Sequence, residues 1–252
     1  MEPFPPRASA FLLHKIIKHK ELNLPIALAR HLLSEKRYSS MRIWLATKGV
    51  HGAYCKKKDL DRDKIASLCG LSSSQSVDFH FERLLECNWI GQCEHNYYFR
   101  PISFLCEQYD VKGGAVHTID LEKELAELQN LLFAICIKAL IMYRRFAERN
   151  IGRCQQTTDD YKVQIYKITS LSVRLLSTLI GISVSMVHRL KMNCLNIGYL
   201  DRKKNSRLVL PYEHCYLYEN HYGSLYTYDN AVRLRLADDL YPFIPMKATY
   251  KK

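Results

Sequence analysis

The sequence predicts a mainly α protein with small β-hairpins, an α+β chain in which one module is used twice with a long helix between the copies. The first observation behind this is an internal repeat. Residues 175–211 (LLSTLIGISVSMVHRLKMNCLNIGYLDRKKNSRLVLP) follow the pattern of residues 65–101 (IASLCGLSSSQSVDFHFERLLECNWIGQCEHNYYFRP). Gly70, Leu71 and Ser72 stand 111 residues before Gly181, Ile182 and Ser183. After one extra residue in the turn, an offset of 110 pairs Val77 with Val187, Leu85 with Leu195, Trp89 with Tyr199, Ile90 with Leu200 and Pro101 with Pro211. The second is a run of apolar residues (Leu121, Leu125, Leu128, Leu132, Ile135, Ala139, Met142, Phe146) in alternating steps of four and three, the seam of a long helix. The third is composition: 48% hydrophobic residues with 10 Gly and 8 Pro describe a packed, helix-rich chain rather than a disordered one.

These observations divide the chain into an N-terminal helical extension (1–38), a first module (39–110), a linker with the long helix (111–150), a second module (151–211) and a Tyr-rich C-terminal extension (212–252). In the extension, Ser9 can cap a helix from Ala10 to about His19, and Pro25 can open another running through Leu33. Ser39 or Ser40 caps the first helix of the first module, Met41 to Thr47, ending at Gly49. Asp61 caps Arg62 to Cys69, and the next helix turns Val77, Phe81, Leu84 and Leu85 inward. Its outward side carries Ser74, Gln75, Asp78 and Glu82, two carboxylates that would repel phosphate.

VKGGAV (111–116) reads as a linker, after which Asp120 caps the long helix to about Asn150. The seam at Leu121 to Phe146 suits a dimerisation helix or, equally, a connector packed on its own chain. Lys162 to Ile168 alternates like a short strand. In the second module a helix stops at Gly181, where the lack of a Cβ permits a left-handed turn. Ser183 or Ser185 caps the following helix, which runs to about Asn196 and buries Val187, Leu190 and Cys194. Its outer face presents Ser185, His188, Arg189 and Met192, with Lys191 at the edge. Two strand-like runs, Tyr199–Leu200 and Arg207–Leu210, then flank a basic turn of Arg202, Lys203, Lys204, Asn205 and Ser206. A last helix is expected from Asp229 to Leu240. The eight tail tyrosines suit either base stacking or an interface.

Helix, turn, helix, then a basic hairpin, seen twice, resembles the winged-helix form of the helix-turn-helix, and the tandem arrangement is similar to plasmid-type replication initiators. The resemblance covers about residues 39–101 and 160–211. It implies that the second helix of each module enters the DNA major groove while the hairpin touches phosphate or the minor groove. On the second module, the DNA-facing set is Ser185, His188, Arg189, Lys191, Met192, Arg202, Lys203, Lys204 and Arg207. Arg and Lys can pair with guanine edges, and the wing cations supply the salt-dependent part of binding. Ser74 and Gln75 are the corresponding contacts on the first module, whose acidic face and neutral wing point either to base reading with few phosphate contacts or to protein contacts.

Charge distribution agrees with that division. The net charge is +12, and residues 129–212 alone hold fourteen Lys and Arg against four acids, a net of +10. A cationic excess concentrated on one module indicates a polyanionic partner. Nine scattered cysteines without a CxxC suit reduced thiols inside a cell, and the early apolar run (Phe11, Leu12, Leu13) is too short for a signal peptide. Leu131 to Ile141 is too short for a membrane span and contains Lys138. The expected location is therefore cytoplasmic or nucleoid/nuclear, with no membrane association.

No catalytic constellation is found. His80-Phe81-Glu82-Arg83 is an HxxR like that of tyrosine recombinases, but that family also uses an arginine more than a hundred residues upstream, and only 79 residues precede His80. Cys87, Cys93, His95 and His80 fit no standard zinc spacing, and Asp59, Asp61 and Asp63 lack the rest of a calcium loop. Neither GxxxxGK[ST] nor GxSxG occurs. The expected function is non-enzymatic, cofactor-free binding of double-stranded DNA by a transcription regulator or replication initiator of a mobile element, with homodimerisation through the Leu121–Phe146 helix or the first module. A protein–protein adaptor on the same scaffold is the alternative.

Overall fold

The computed structural model describes residues 20–111, 116–154, 170–208, 225–228 and 231–244. The helix expected at Ala10–His19, the strand expected at Lys162–Ile168 and the tyrosines Tyr212, Tyr216, Tyr218, Tyr222 and Tyr250 lie outside these. The described chain is mixed, and its strand pairings are all antiparallel, which is an α+β arrangement. It divides into two compact units, Met1–Cys136 with Pro245–Lys252, and Ile137–Ile244.

In the first unit, β1 (Glu21–Pro25) leads into α1 (Ile26–Ser34), which starts directly after Pro25. α2 (Tyr38–His51) is longer than its sequence signals imply, because Ser39 and Ser40 lie inside it rather than capping it. Met41, Ile43, Trp44, Leu45 and Ala46 are all buried, so the helix is enclosed on nearly every side and no single apolar stripe marks its start. β2 (Tyr54–Lys56) and a 3-10 turn at Lys57–Asp59 precede α3 (Arg62–Leu68), capped as expected by Asp61, whose carboxylate accepts from the Lys64 amide at 3.0 Å. α4 (Ser74–Glu86) is capped by Ser73 and buries Val77, Phe81 and Leu84. It ends where Asn88 takes a left-handed φ of 57° and the Trp89 amide returns to the Leu84 carbonyl at 2.9 Å. β3 (Ile90–Gln92) and β4 (Asn96–Phe99) complete a three-stranded sheet in the order β2-β4-β3, and α5 (Ile102–Gln108) follows.

The segment after α5 departs from expectation. Val116–Asp120 is a strand, β5, paired with β1 in the register Glu21↔Asp120 to Pro25↔Val116. Alternate burial of His117 and Ile119 shows why pairing prevails here over an early helix start. The Asp120 carboxylate does cap, but it caps a turn, accepting from the Glu122 amide at 3.0 Å while Glu124 accepts from the Asp120 amide at 2.8 Å. The long helix, α6, is Leu128–Cys154 and thus starts later than its seam. Leu121, Leu125, Leu128, Leu132 and Ile135 are buried by their own chain, so this half of the seam is not a free dimerisation surface; of the expected seam only Met142 and Phe146 are exposed.

In the second unit, α7 (Val173–Ile180) and α8 (Val184–Ile197) are separated by Gly181 at φ 83°, and the axis turns by 107° between them. Ser183, not Ser185, caps α8, accepting from the Met186 amide at 3.3 Å. Leu176, Ile180, Val187, Leu190 and Cys194 form the core with Leu200, Leu240 and Ile244. β6 (Leu200–Lys203) does not form the expected hairpin with β7 (Ser206–Leu208). β6 pairs with β10 (Asp239–Pro242), and β7 joins a separate sheet in the order β7-β9-β8 with β8 (Leu225–Tyr228) and β9 (Ala231–Arg235). The helix expected at Asp229–Leu240 is instead β9 and β10, so the second unit runs on to Ile244 rather than stopping at 211.

The two segments matched by the repeat differ in their strand pairing. Ile90 pairs with Phe99, nine residues on, whereas Leu200 pairs with Pro242, 42 residues on. Ser170 bridges Asp239 on the far side of β10, as β2 flanks β4 in the first unit. Among the described residues no single helix is long and apolar enough to cross a membrane.

Candidate nucleic-acid interface

α8 is presented by its own burial pattern. Val187, Leu190 and Cys194 hold one side in the core, which leaves Ser185, His188 and Arg189 exposed and Met192 half-buried. The Arg189 guanidinium is held against its own helix, with Nη2 2.8 Å from the Met186 sulfur. His188, Lys191, Met192 and Arg202 line one open cleft of about 310 Å³, bordered by the Leu171–Val173 segment and by Leu236–Asp238. The helix face and the start of β6 are thus brought together. Lys203 and Lys204 are exposed beyond it, and Arg202 is half-buried. Arg207 lies in β7, at the edge of the separate sheet β7-β9-β8.

Lys191 does not belong to the exposed set. It is 5% exposed, and its Nζ donates to Asp238 Oδ2 at 2.6 Å, with Asp238 itself 7% exposed. Val187, Leu190, Lys191 and Cys194 occupy positions i, i+3, i+4 and i+7, the core-facing stripe of a helix, so Lys191 is carried inward by position and requires a buried counter-charge. Asp238 belongs to no motif, and its signal in the sequence is the adjacent pair Asp238-Asp239 within a basic half of the chain. Further bonds fix the same corner: the Leu171 amide donates to the Asp238 carbonyl at 3.1 Å, and Ser170 Oγ and Asn205 Nδ2 both donate to the Ala237 carbonyl at 3.0 Å.

On the first unit, Gln75 is exposed and Ser74 half-buried at the start of α4. Asp78 is taken up by an ion pair with Arg62, leaving Glu82 exposed. His80 turns to Ser40, with Nδ1 3.2 Å from its hydroxyl, and burial pushes its pKa below the ordinary imidazole value. Arg83 packs over the Phe79 ring, so the HxxR pair converges on no common site. Cys87 Sγ accepts from Arg37 at 2.6 Å, Cys93 Sγ lies 3.4 Å from the Tyr98 hydroxyl, and no group of three or more metal-ligating side chains gathers among the described residues.

Comparison with protein-family models, with curated proteins and with solved structures finds no match to the chain.

Proposed function

We propose that the chain binds double-stranded DNA through its second unit, with α8 as the helix that enters the major groove. The observation that carries this is the shared cleft of His188, Met192 and Arg202, which sets an exposed helix face beside the cationic edge strand. The turn of 107° between α7 and α8 is within the range of about 90–120° typical of a helix-turn-helix. In both units the order of a helix pair followed by strands in an antiparallel sheet is that of a winged helix, which supports reading the chain as two such modules. In the second, the wing would be the inserted sheet β7-β9-β8 rather than a tight hairpin.

Ser185, His188, Arg189 and Met192 then face base edges, and Arg202, Lys203 and Lys204 face phosphate. Lys191 lines the same cleft but is held by Asp238. A protein of this kind serves as a transcription regulator or as a replication initiator of a mobile element. The test is selection of bound fragments from random and genomic DNA by the full chain, followed by affinity against salt on the selected duplex. Enrichment of a repeated site with a steep salt dependence supports the reading; no enrichment, or binding indifferent to salt, overturns it and leaves a protein adaptor.

A further inference from the structure

The first unit carries exposed cations on its helices and also at the outer face of its sheet, where Lys56 lies in β2 and Lys58 in the turn that follows. β2 and β4 pair in the register Tyr54↔Tyr98 and Lys56↔Asn96. The Phe99 amide bonds the Ala53 carbonyl and the Lys57 amide bonds the His95 carbonyl, both at 2.9 Å. By the alternation of an antiparallel ladder, Tyr54↔Tyr98 and Lys56↔Asn96 are then the non-hydrogen-bonded pairs, whose side chains stand closer together. Cys55, Phe99 and Ile90 point into the core, and Tyr97 packs edge-on against Phe81 at 4.9 Å. The alternate positions face solvent: Tyr54 is 64% exposed and Tyr98 47%.

The row continues onto β3, where Gly91 stands opposite Tyr98. The absence of a side chain there leaves backbone beside the Tyr98 ring, with the Arg100 guanidinium at its edge, 3.8 Å from where a Cβ would stand. The next row holds Lys56, Asn96 and Cys93, and Lys58 is exposed just beyond. Two exposed rings in register, a glycine between them and the Arg100 guanidinium, an amide and two ammonium groups are complementary to an unpaired base, its hydrogen-bonding edge and its phosphate. Nearby acids are Asp59 and Glu94; Glu94 lies at the tip of the β3–β4 turn, 3.8 Å from His95. α4 of the same unit carries the exposed Glu82 and Glu86 against the single exposed Arg83, so the sheet face is the less acidic approach for a polyanion.

We infer that the outer face of β2-β4-β3 binds single-stranded DNA, with bases stacked on Tyr54 and Tyr98 beside Gly91, and Lys56 and Lys58 on the phosphates. Base–aromatic stacking is tolerant of sequence because every base has a π-face. The choice of DNA over RNA rests on the duplex-DNA reading of the second unit; the stacking site does not.

The experiment is fluorescence anisotropy of the full chain with a labelled oligothymidine strand, an RNA strand of the same length and a blunt duplex. The single strand should bind, and Y54A/Y98A should weaken it by about tenfold or more, since one stacked base is worth roughly 1–3 kcal/mol. Y54F/Y98F should bind like the wild type, because the rings and not the hydroxyls make the stacking surface. K56A/K58A should lower the salt dependence. As a measurement that requires no variant, photo-crosslinking of an iodouracil strand should mark Tyr54 or Tyr98. No single-strand binding, unchanged affinity in Y54A/Y98A, or cross-links only elsewhere would overturn the site. Tighter binding of RNA would overturn the assignment to DNA. R202A/K203A/K204A should lose the duplex and keep the single strand, so the two proposals fail independently.

Discussion

Lys191 Nζ and Asp238 Oδ2 meet at 2.6 Å in the interior, 47 residues apart in the chain, and join the middle of α8 to the residue before β10. A buried pair of this kind adds little net stability over an apolar pair of similar volume, because both charges lose their hydration. Its halves are not independent, however. Lys191→Met strands the Asp238 carboxylate in the interior and is expected to cost about 3–5 kcal/mol, read by urea denaturation. The double change Lys191→Met with Asp238→Leu should recover most of that loss. Equal and additive losses in the single and double variants would show that the pair does not act as a unit.

Arg189→Ala and the triple change of Arg202, Lys203 and Lys204 to Ala should differ in kind. The first should relax preference at one base pair, by about 1–3 kcal/mol, with little change in salt dependence. The second should weaken all duplexes alike and reduce the slope of log K against log salt by about 0.9 for each phosphate that is no longer neutralised. Titrations of one selected and one scrambled duplex at several salt concentrations separate the two.

Acid should destabilise the first unit. His31 and His80 are both held below the ordinary pKa of 6.5 by burial. Their unfolded forms take up protons at a pH where the folded forms do not, so stability is full above the unfolded value and falls as pH drops through it towards the folded values. Melting temperature followed from about pH 7.5 to pH 5 should decline. His80→Gln, which can still bond Ser40, should flatten part of that decline.

Gly198 ends α8 at φ 88°, and a methyl group on its Cα would have no atom within 4 Å. Gly198→Ala therefore meets no steric neighbour and should cost only the left-handed backbone strain, about 1 kcal/mol, read by urea denaturation. A much larger loss of stability would mean that the turn into β6 is less tolerant than this geometry allows.

What the sequence discloses of this fold follows the range of the interactions involved. Gly181, Ser183 and the spacing of Val187, Leu190 and Cys194 mark α7 and α8 because caps and helical periodicity act within one or two turns. The exposed face with Ser185, His188 and Arg189 follows from the same periodicity. Strand pairing is not local. Arg207–Leu210 is a plausible hairpin partner for β6 by proximity, but β10 takes that place, and no short-range signal distinguishes the two. At Lys191 two local signals conflict: position in the apolar stripe argues inward and the ammonium argues outward, and only Asp238, distant in the chain, decides between them. At Leu121–Leu125 the seam is real as burial but not as helix, since apolar spacing reports an enclosed side without stating which partner encloses it or where the helix begins.

The distance between β6 and β10 bears on how the protein is made. As the chain leaves the ribosome, α7 and α8 can coil at once, yet β6 lacks its neighbour and Lys191 its carboxylate until residues 238–242 have followed. The nascent second half thus passes through an interval with an open sheet edge and an uncompensated ammonium, and a stop codon just before Asp238 should yield a product prone to degradation although every residue of α8 is present.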